Sequence, residues 1–163
     1  MSLPYEGPLV VRAPGERQIP EPRRRGEAGG EPCRICAGKT APVVWSDEHW
    51  TLHPPHGGSL PGAVWIASRE HFDSFADMPE RVAASFAGVV ARAERAILSL
   101  GDVGRVHLYR WGDGGAHFHV WLLPRPLGMM EAAGMFLPVW EDALPNVSDE
   151  VLEEAATRIA AAM

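Results

Sequence analysis

The residues that could do chemistry in this chain are concentrated in one short segment, residues 117–125. This segment is rich in residues that favour β-strands, and it carries two histidines separated by one residue, His117 and His119. Side chains on a strand alternate between two faces, so both imidazoles and the indole of Trp121 point the same way. The spacing predicts that the two histidines serve one site, as metal ligands or as a nucleophile beside a neighbour.

A metal site is predicted from residues that lie far apart in the chain. Cys33 and Cys36 are spaced so that both thiolates can reach one ion. Zinc takes four ligands in tetrahedral geometry, and His71 and His117 are the two further candidates. Four protein ligands would make a closed, structural site that ties the cysteine segment to the sheet. Inert thiols and a redox pair are alternatives, although a redox CxxC motif normally follows a strand and begins a helix.

A catalytic role for His119 is predicted from the neighbours that the strand would give it. A neutral imidazole is a good nucleophile toward phosphorus, and the resulting phosphoramidate can pass its group to water or another acceptor. The loop before this strand, residues 112–115, is rich in glycine, so backbone N–H groups at Gly114 and Gly115 are candidates for binding phosphate oxygens. Arg110 is a candidate cation and Trp121 a candidate substrate contact. The alternatives are that His119 is a structural histidine and that the glycine loop is an ordinary hairpin turn.

The elements that must position these residues are predicted from apolar periodicity. Residues 78–100 carry an apolar stripe at helical period, and Asp77 with Glu80 resembles a capping box. A second helix is predicted to begin near Ser148 and to run to the C-terminus. Five short runs predict strands, and the last two are expected to pair as an antiparallel hairpin: 43–45, 50–52, 62–67, 105–111 and 117–125. Antiparallel strands with two helices indicate an α+β fold.

Length and composition limit the classes of function. The chain has 163 residues, of which 1–31 are rich in Pro, Gly, Arg and Glu and predict an extended arm before a single domain at 32–163. We interpret the arginine run 23–25 as part of a solvated arm. The net charge of −6 argues against general nucleic-acid binding, and no apolar run approaches a membrane span of about 18 residues. Without a secretory signal, we expect a cytoplasmic protein.

The segment 117–125 resembles the signature of the histidine-triad superfamily, which alternates histidines with apolar residues on a strand and often ends in Pro-Arg. Residues 62–75 resemble the same family, with a strand, a basic residue and His71 before the long helix. The resemblance covers about residues 31–126. It implies an antiparallel sheet of about five strands, one long helix after the third strand, and a C-terminal helix.

The resemblance also implies an activity and a cofactor. The two cysteines and two histidines look most like the galactose-1-phosphate uridylyltransferase branch and its zinc-bearing hydrolase relatives. By resemblance, a structural zinc ion would be bound by Cys33, Cys36, His71 and His117. His119 would attack the α-phosphorus of a nucleoside phosphate ester, anhydride or amidate and form a nucleotidyl-histidine, as in nucleotide hydrolases and nucleotidyl transferases. The resemblance implies a homodimer as well, whereas the chain is too short for the two-repeat uridylyltransferase form.

One position departs from the family pattern. Trp121 stands where family hydrolases have a third histidine and the uridylyltransferases have glutamine. An indole N–H donates a hydrogen bond but is not a usable acid, so a good leaving group or an acid from elsewhere would be required. A second hypothesis is therefore a catalytically impaired, zinc-stabilised module that binds a nucleotide or a partner.

Overall fold

The computed structural model describes residues 2–163, which form one five-stranded sheet and three α-helices. The strands lie in the order β1-β2-β3-β5-β4, and every neighbouring pair is antiparallel. None of the helices in residues 2–163 combines the length and apolar character that crossing a bilayer requires. The bounds are β1 Trp45–Ser46, β2 Trp50–His53, β3 Val64–Ser68, α1 Glu80–Leu98, β4 Val103–Tyr109, β5 His119–Pro126, α2 Leu137–Ala143 and α3 Asp149–Ala162. The predicted α+β fold, with a long helix after the third strand, is confirmed.

The long helix α1 packs on one face of the sheet and leaves the other face for the site. Val120 and Leu122 of β5 are each 1% exposed and belong to the same apolar cluster as Val89 and Ile97 of α1. Burying one such side chain contributes about 1.5–3 kcal/mol, so this layer holds β5 firmly in place. Alternation along β5 then sends His119 to the opposite face.

The start of α1 differs from the prediction. The capping box forms one turn earlier, between Ser74 and Asp77, and closes a short 3-10 turn. Met78 is extended, with ψ 141°, because the residue before a proline avoids the helical region. This break separates the turn from α1, so pairing of Asp77 with Glu80 as the helix cap is wrong. The C-terminal helix has Ser148 at its N-cap position, as predicted.

The hairpin of β4 and β5 is confirmed, but β4 begins and ends two residues earlier than predicted and β5 begins two residues later. β4 ends at Tyr109 and β5 begins at His119, so residues 110–118 form a longer connecting loop. His117 therefore lies just before β5. The backbone around it stays extended against the neighbouring strand, since Ser68 N donates to Phe118 O at 3.2 Å.

The N-terminal segment contacts the domain near both of its ends. Trp140 Nε1 donates to Ser2 O at 2.8 Å. Arg24 Nη1 donates to Gly112 O at 2.8 Å and to the Asp73 carboxylate at 3.1 Å. The interpretation of the arginine run as a solvated arm is therefore wrong for Arg24, which forms an ion pair with Asp73 of the domain.

Candidate functional site

Four side chains converge at a candidate metal centre. The ligand atoms of Cys33, Cys36, His71 and His117 all lie within 4.8 Å of one another. His117 Nδ1 lies 3.3 Å from the first sulfur and 3.4 Å from the second, and His71 Nδ1 lies 3.2 Å from the second. A tetrahedral ion with sulfur at about 2.3 Å and nitrogen at about 2.0 Å would separate these atoms by about 3.5 Å. The four residues therefore fit one metal ion.

A backbone contact decides which nitrogen of His117 faces the cysteines. His117 Nε2 donates to Ser68 O at 2.8 Å, so the proton lies on Nε2 and the lone pair of Nδ1 points to the cluster. Burial lowers the pKa of His117, which favours the neutral ring that metal binding requires. The loop position of His117, just before β5, allows this arrangement.

His119 is held by the backbone of the same segment. Its Nδ1 donates to the carbonyl oxygen of His117 at 2.8 Å, which leaves the lone pair on Nε2. In residues 2–163 this Nε2 makes no hydrogen bond. The edge of the ring packs against Trp65, with ring centroids 6.3 Å apart and an interplanar angle of 80°. The structure thus presents an imidazole whose orientation is fixed by Nδ1 and whose Nε2 is open.

A cavity of about 180 Å³ lies beside His119. The loop glycines Gly114 and Gly115 line it together with two arginines, Arg25 and Arg34, and the guanidinium of Arg25 also pairs with Glu31 at 2.7 Å. Backbone N–H groups and guanidinium groups are the donors that bind phosphate oxygens best. The size and lining of this cavity suit a phosphate group.

The two cavity arginines were not singled out in the sequence. Arg25 reaches the cavity because its carbonyl oxygen accepts from Ala116 N at 2.8 Å, and its backbone bridges to Gly115. Arg34 lies inside the CxxC motif, so metal binding by the flanking cysteines would also position it. The signal available in the sequence was a basic residue, Arg34, between the two cysteines, with Arg25 in the segment before them.

Two other predicted residues lie outside the cavity of His119. Arg110 donates to Asp73 O at 2.8 Å and covers the ring of Phe118 at 5.3 Å, which places it on the α1 side of the sheet. Trp121 lines a second, larger cavity further along the His119 face. The structure therefore brings His117, His119 and the glycine loop together and places Arg110 elsewhere.

Solved structures resemble this chain, whereas no protein-family model and no curated protein matches it. A histidine triad protein from Bradyrhizobium japonicum has a TM-score of 0.62 at 14% identity, over 76% of this chain and 90% of that chain. A hypothetical histidine triad nucleotide-binding protein from Sulfolobus tokodaii has 0.59 at 18%, over 80% and 91%. A zinc-bound histidine triad family protein from Mycobacterium smegmatis has 0.55 at 23%, over 80% and 89%. The chain therefore has the histidine-triad fold, which confirms the architecture that the resemblance implies.

Proposed function

We propose that the protein is an enzyme that acts at the α-phosphate of a nucleoside phosphate ester, anhydride or amidate. One observation carries this proposal: His119 Nδ1 is anchored to the His117 carbonyl at 2.8 Å, while Nε2 is open beside a phosphate-sized cavity. A structure of the same fold is described as a nucleotide-binding protein, which supports a nucleotide as the ligand. The activity is that of a nucleotide hydrolase or a nucleotidyl transferase.

The reaction has two steps that use the same nitrogen. His119 Nε2 attacks the α-phosphorus, the N–P bond forms, and the leaving group departs with the electron pair of its bond to phosphorus. The His117 carbonyl stabilises the positive charge on the ring through Nδ1–H. Water or another acceptor then attacks phosphorus and loses a proton to solvent, and the N–P electron pair returns to Nε2. Arg25, Arg34 and the loop N–H groups stabilise the phosphoryl oxygens throughout.

The position of Trp121 sets the kind of leaving group that this site accepts. Trp121 offers no acidic proton, and the cavity beside His119 has no carboxyl group in its described lining. The best substrates are therefore those whose leaving group departs without an enzyme acid. Anhydrides meet this condition because they release a stable phosphate, and amidates meet it because solvent can protonate their nitrogen.

We also propose that the Cys₂His₂ site binds one structural zinc ion. Cysteine sulfur and histidine nitrogen are ligands that zinc prefers, and a protein of the same fold is described as zinc-bound. Zinc would supply a cross-link between the cysteine segment, His71 in the loop after β3, and the segment just before β5. With four protein ligands it would leave no position for substrate or water.

A homodimer and a cytoplasmic location complete the proposal. β4 is an edge strand, and Leu108 on it is 48% exposed, so its outer edge is open to pairing with a second copy. The free thiols of Cys33 and Cys36 fit a reducing compartment. Sedimentation at micromolar concentration should give the mass of a dimer, and a monomer there would remove the dimer from the proposal.

Turnover measurements separate an enzyme from the alternative, a zinc-stabilised module that binds without reacting. The substrates are nucleoside phosphoramidates, dinucleoside polyphosphates and nucleotide sugars. We expect wild-type protein to release the nucleoside monophosphate from at least one class, and His49→Ala, outside the site, to match it. Nucleotide binding by calorimetry with no product from any class would favour the binding module, for which Trp121 at the third histidine position is the supporting observation.

A further inference from the structure

The two cysteines of the candidate metal centre lie on a single turn of backbone. Ala37 N donates to Cys33 O at 3.1 Å, and Gly38, with φ +63°, ends the turn in the left-handed region that glycine favours. Cys36 N donates to Cys33 Sγ at 3.4 Å, and the two sulfurs lie within 4.8 Å of each other. Residues three apart on such a turn are neighbours, so a short movement of the side chains would join the two sulfurs.

This pair of cysteines is open to reagents in the solvent. Cys36 is exposed and Cys33 is half-buried. Thiols that bind a metal are held as thiolates, which is the form of cysteine that reacts with oxidants. The chain has two cysteines in all, so the one disulfide that it can form within itself joins Cys33 to Cys36. An oxidant that reaches the metal centre therefore has a defined product.

A change at these sulfurs reaches His119 through one residue. Cys33 Sγ lies 3.3 Å from His117 Nδ1, and the carbonyl oxygen of His117 accepts from His119 Nδ1 at 2.8 Å. Cys33 also lines the cavity beside His119. The contact of His117 Nε2 with Ser68 O, at 2.8 Å, does not involve the cysteines. Loss of the sulfur ligands should therefore loosen the orientation of His119 without abolishing it.

We propose that Cys33 and Cys36 form a redox switch, in which a hydroperoxide converts the two thiolates to a disulfide, releases the metal and lowers the reactivity of His119. The disulfide leaves His71 and His117 as the remaining ligands, and two imidazoles do not complete a four-coordinate structural site. The disulfide and the metal release are independent of any reaction at phosphorus, whereas the effect on turnover rests on the proposed function.

The oxidation has two steps, and the exposed Cys36 reacts first. Its thiolate attacks one peroxide oxygen, the S–O bond forms, the O–O bond breaks, and hydroxide departs and takes a proton from solvent. The Cys33 thiolate then attacks the sulfur of this sulfenic acid, the S–S bond forms, and the S–O bond breaks with loss of a second hydroxide. The two sulfurs lose the electron pair that the peroxide gains. A dithiol reverses the change by exchange and is itself oxidised.

Titration of the zinc-loaded, full-length protein with hydrogen peroxide tests the switch. The protein is treated with a small excess of peroxide, denatured in an alkylating reagent, and analysed by intact mass and peptide mapping. We expect a loss of two hydrogen atoms, two cysteines that resist alkylation, and release of about one equivalent of zinc to a chromogenic chelator. The melting temperature should fall, and turnover should fall by about fivefold or more because His119 is less well positioned. A dithiol together with zinc should restore both.

Three controls separate the disulfide from other effects of peroxide. Reduced protein that has lost its metal to a chelator should recover on addition of zinc alone, whereas oxidised protein should need a dithiol first. Cys36→Ser lacks the disulfide partner, so peroxide should add oxygen to Cys33 instead of removing hydrogen. Methionine oxidation is the competing reaction, and Met135 is 77% exposed. Met135→Leu should therefore respond to peroxide as wild type does.

The remaining outcomes decide against the switch or against the proposed function. Retention of zinc with both cysteines open to alkylation, oxidation that a dithiol does not reverse, or a covalent dimer would overturn the inference. A reversible disulfide with zinc release but unchanged turnover would contradict control of His119 and leave the proposed function standing. Absence of turnover in the reduced protein would contradict the proposed function, while a reversible disulfide with zinc release would still support a redox-sensitive metal centre.

Discussion

The Nδ1 atom of His119 lies 2.8 Å from the carbonyl oxygen of His117, whose own Nδ1 faces two cysteine sulfurs. The backbone carbonyl of His117, a candidate metal ligand, thus orients the imidazole of His119. A metal ion bound by His117 would fix the segment that fixes His119. This relationship would couple a bound metal to the reactivity of His119 even though the metal would contact no substrate.

Loss of the metal should therefore reduce both stability and activity. Cys36→Ser replaces one thiolate by a poor zinc ligand, and we expect metal content to fall from about one equivalent toward zero. The melting temperature should fall as well, because a structural metal contributes folding free energy. Elemental analysis and thermal unfolding measure the two effects, with His49→Ala as the control. Wild-type protein that is purified without chelator and contains less than about one tenth of an equivalent of metal would refute the zinc site.

If the cavity beside His119 binds phosphate, as we propose, the two arginines that line it should act on substrate. Arg25→Gln and Arg34→Gln should each lower kcat/KM by about 10–100-fold, because each loses a charge-assisted contact to phosphate. Arg110→Gln should stay within about twofold of wild type, since Arg110 lies on Phe118 at the α1 side of the sheet. Steady-state kinetics on the three variants measures the difference. A large loss in Arg110→Gln with none in the other two would restore Arg110 as the phosphate ligand and reject the cavity assignment.

Arg24 should control whether the N-terminal segment stays on the domain. Its guanidinium pairs with Asp73 and Glu27 and lowers the pKa of the Asp73 carboxyl, whereas the pKa of Glu27 is lowered first by the backbone N–H of Arg24 and then by the guanidinium. Arg24→Ala should cost only about 1 kcal/mol of unfolding free energy, because the pairs are partly exposed. It should nevertheless speed proteolytic cleavage after Arg25, as the segment is released. Arg23→Ala removes the exposed neighbour and is the matched control. Equal cleavage rates in the two variants would show that Arg24 does not hold the segment.

Stability should decrease as the pH falls below about 6.5, in part because of His53. The ring of His53 stacks on Trp65 and contacts Ala41 O at 2.8 Å and Thr51 Oγ1 at 2.9 Å, and burial lowers its pKa below 6.5. The unfolded state then binds the proton more readily than the folded state. The stabilisation is full above the ordinary pKa and is lost as the pH falls toward the depressed value.

The variant His53→Gln should make this pH dependence shallower. Denaturant unfolding between pH 7.5 and about 5 measures it, and one proton contributes at most about 1.4 kcal/mol per pH unit. Some slope should remain, because burial also lowers the pKa of His107. His56→Gln, at an exposed position, should keep the wild-type slope. An unchanged slope in His53→Gln would rule out His53 as the titrating group.

The sheet and α1 were predictable because their apolar patterns are local. Alternation along residues 117–125 separates the buried Val120 and Leu122 from His119, and the stripe in α1 needs only the helical period. The metal cluster was also predictable, since CxxC spacing constrains two ligands to one ion. These features depend on residue type and spacing within short segments.

The cavity beside His119 was less predictable, because contacts between residues far apart in the sequence form it. Arg25 reaches it only through the return of the N-terminal segment, which a contact between Arg24 and Asp73, 49 residues apart, holds in place. No periodic pattern encodes such a contact. The cavity that Trp121 lines likewise depends on α2, which contributes Glu141 to its lining. No helix was predicted for this region from the sequence.

The most direct test of the account is detection of the covalent intermediate on His119. Wild-type protein is mixed with a nucleoside phosphoramidate or a dinucleoside polyphosphate, quenched within one turnover and analysed by intact mass and peptide mapping. We expect a mass increase of one nucleotidyl group, located on the peptide that contains His119, and its absence from His119→Ala with metal content and melting temperature retained. Turnover by wild type without any adduct, or equal turnover by His119→Ala, would contradict His119 as the nucleophile.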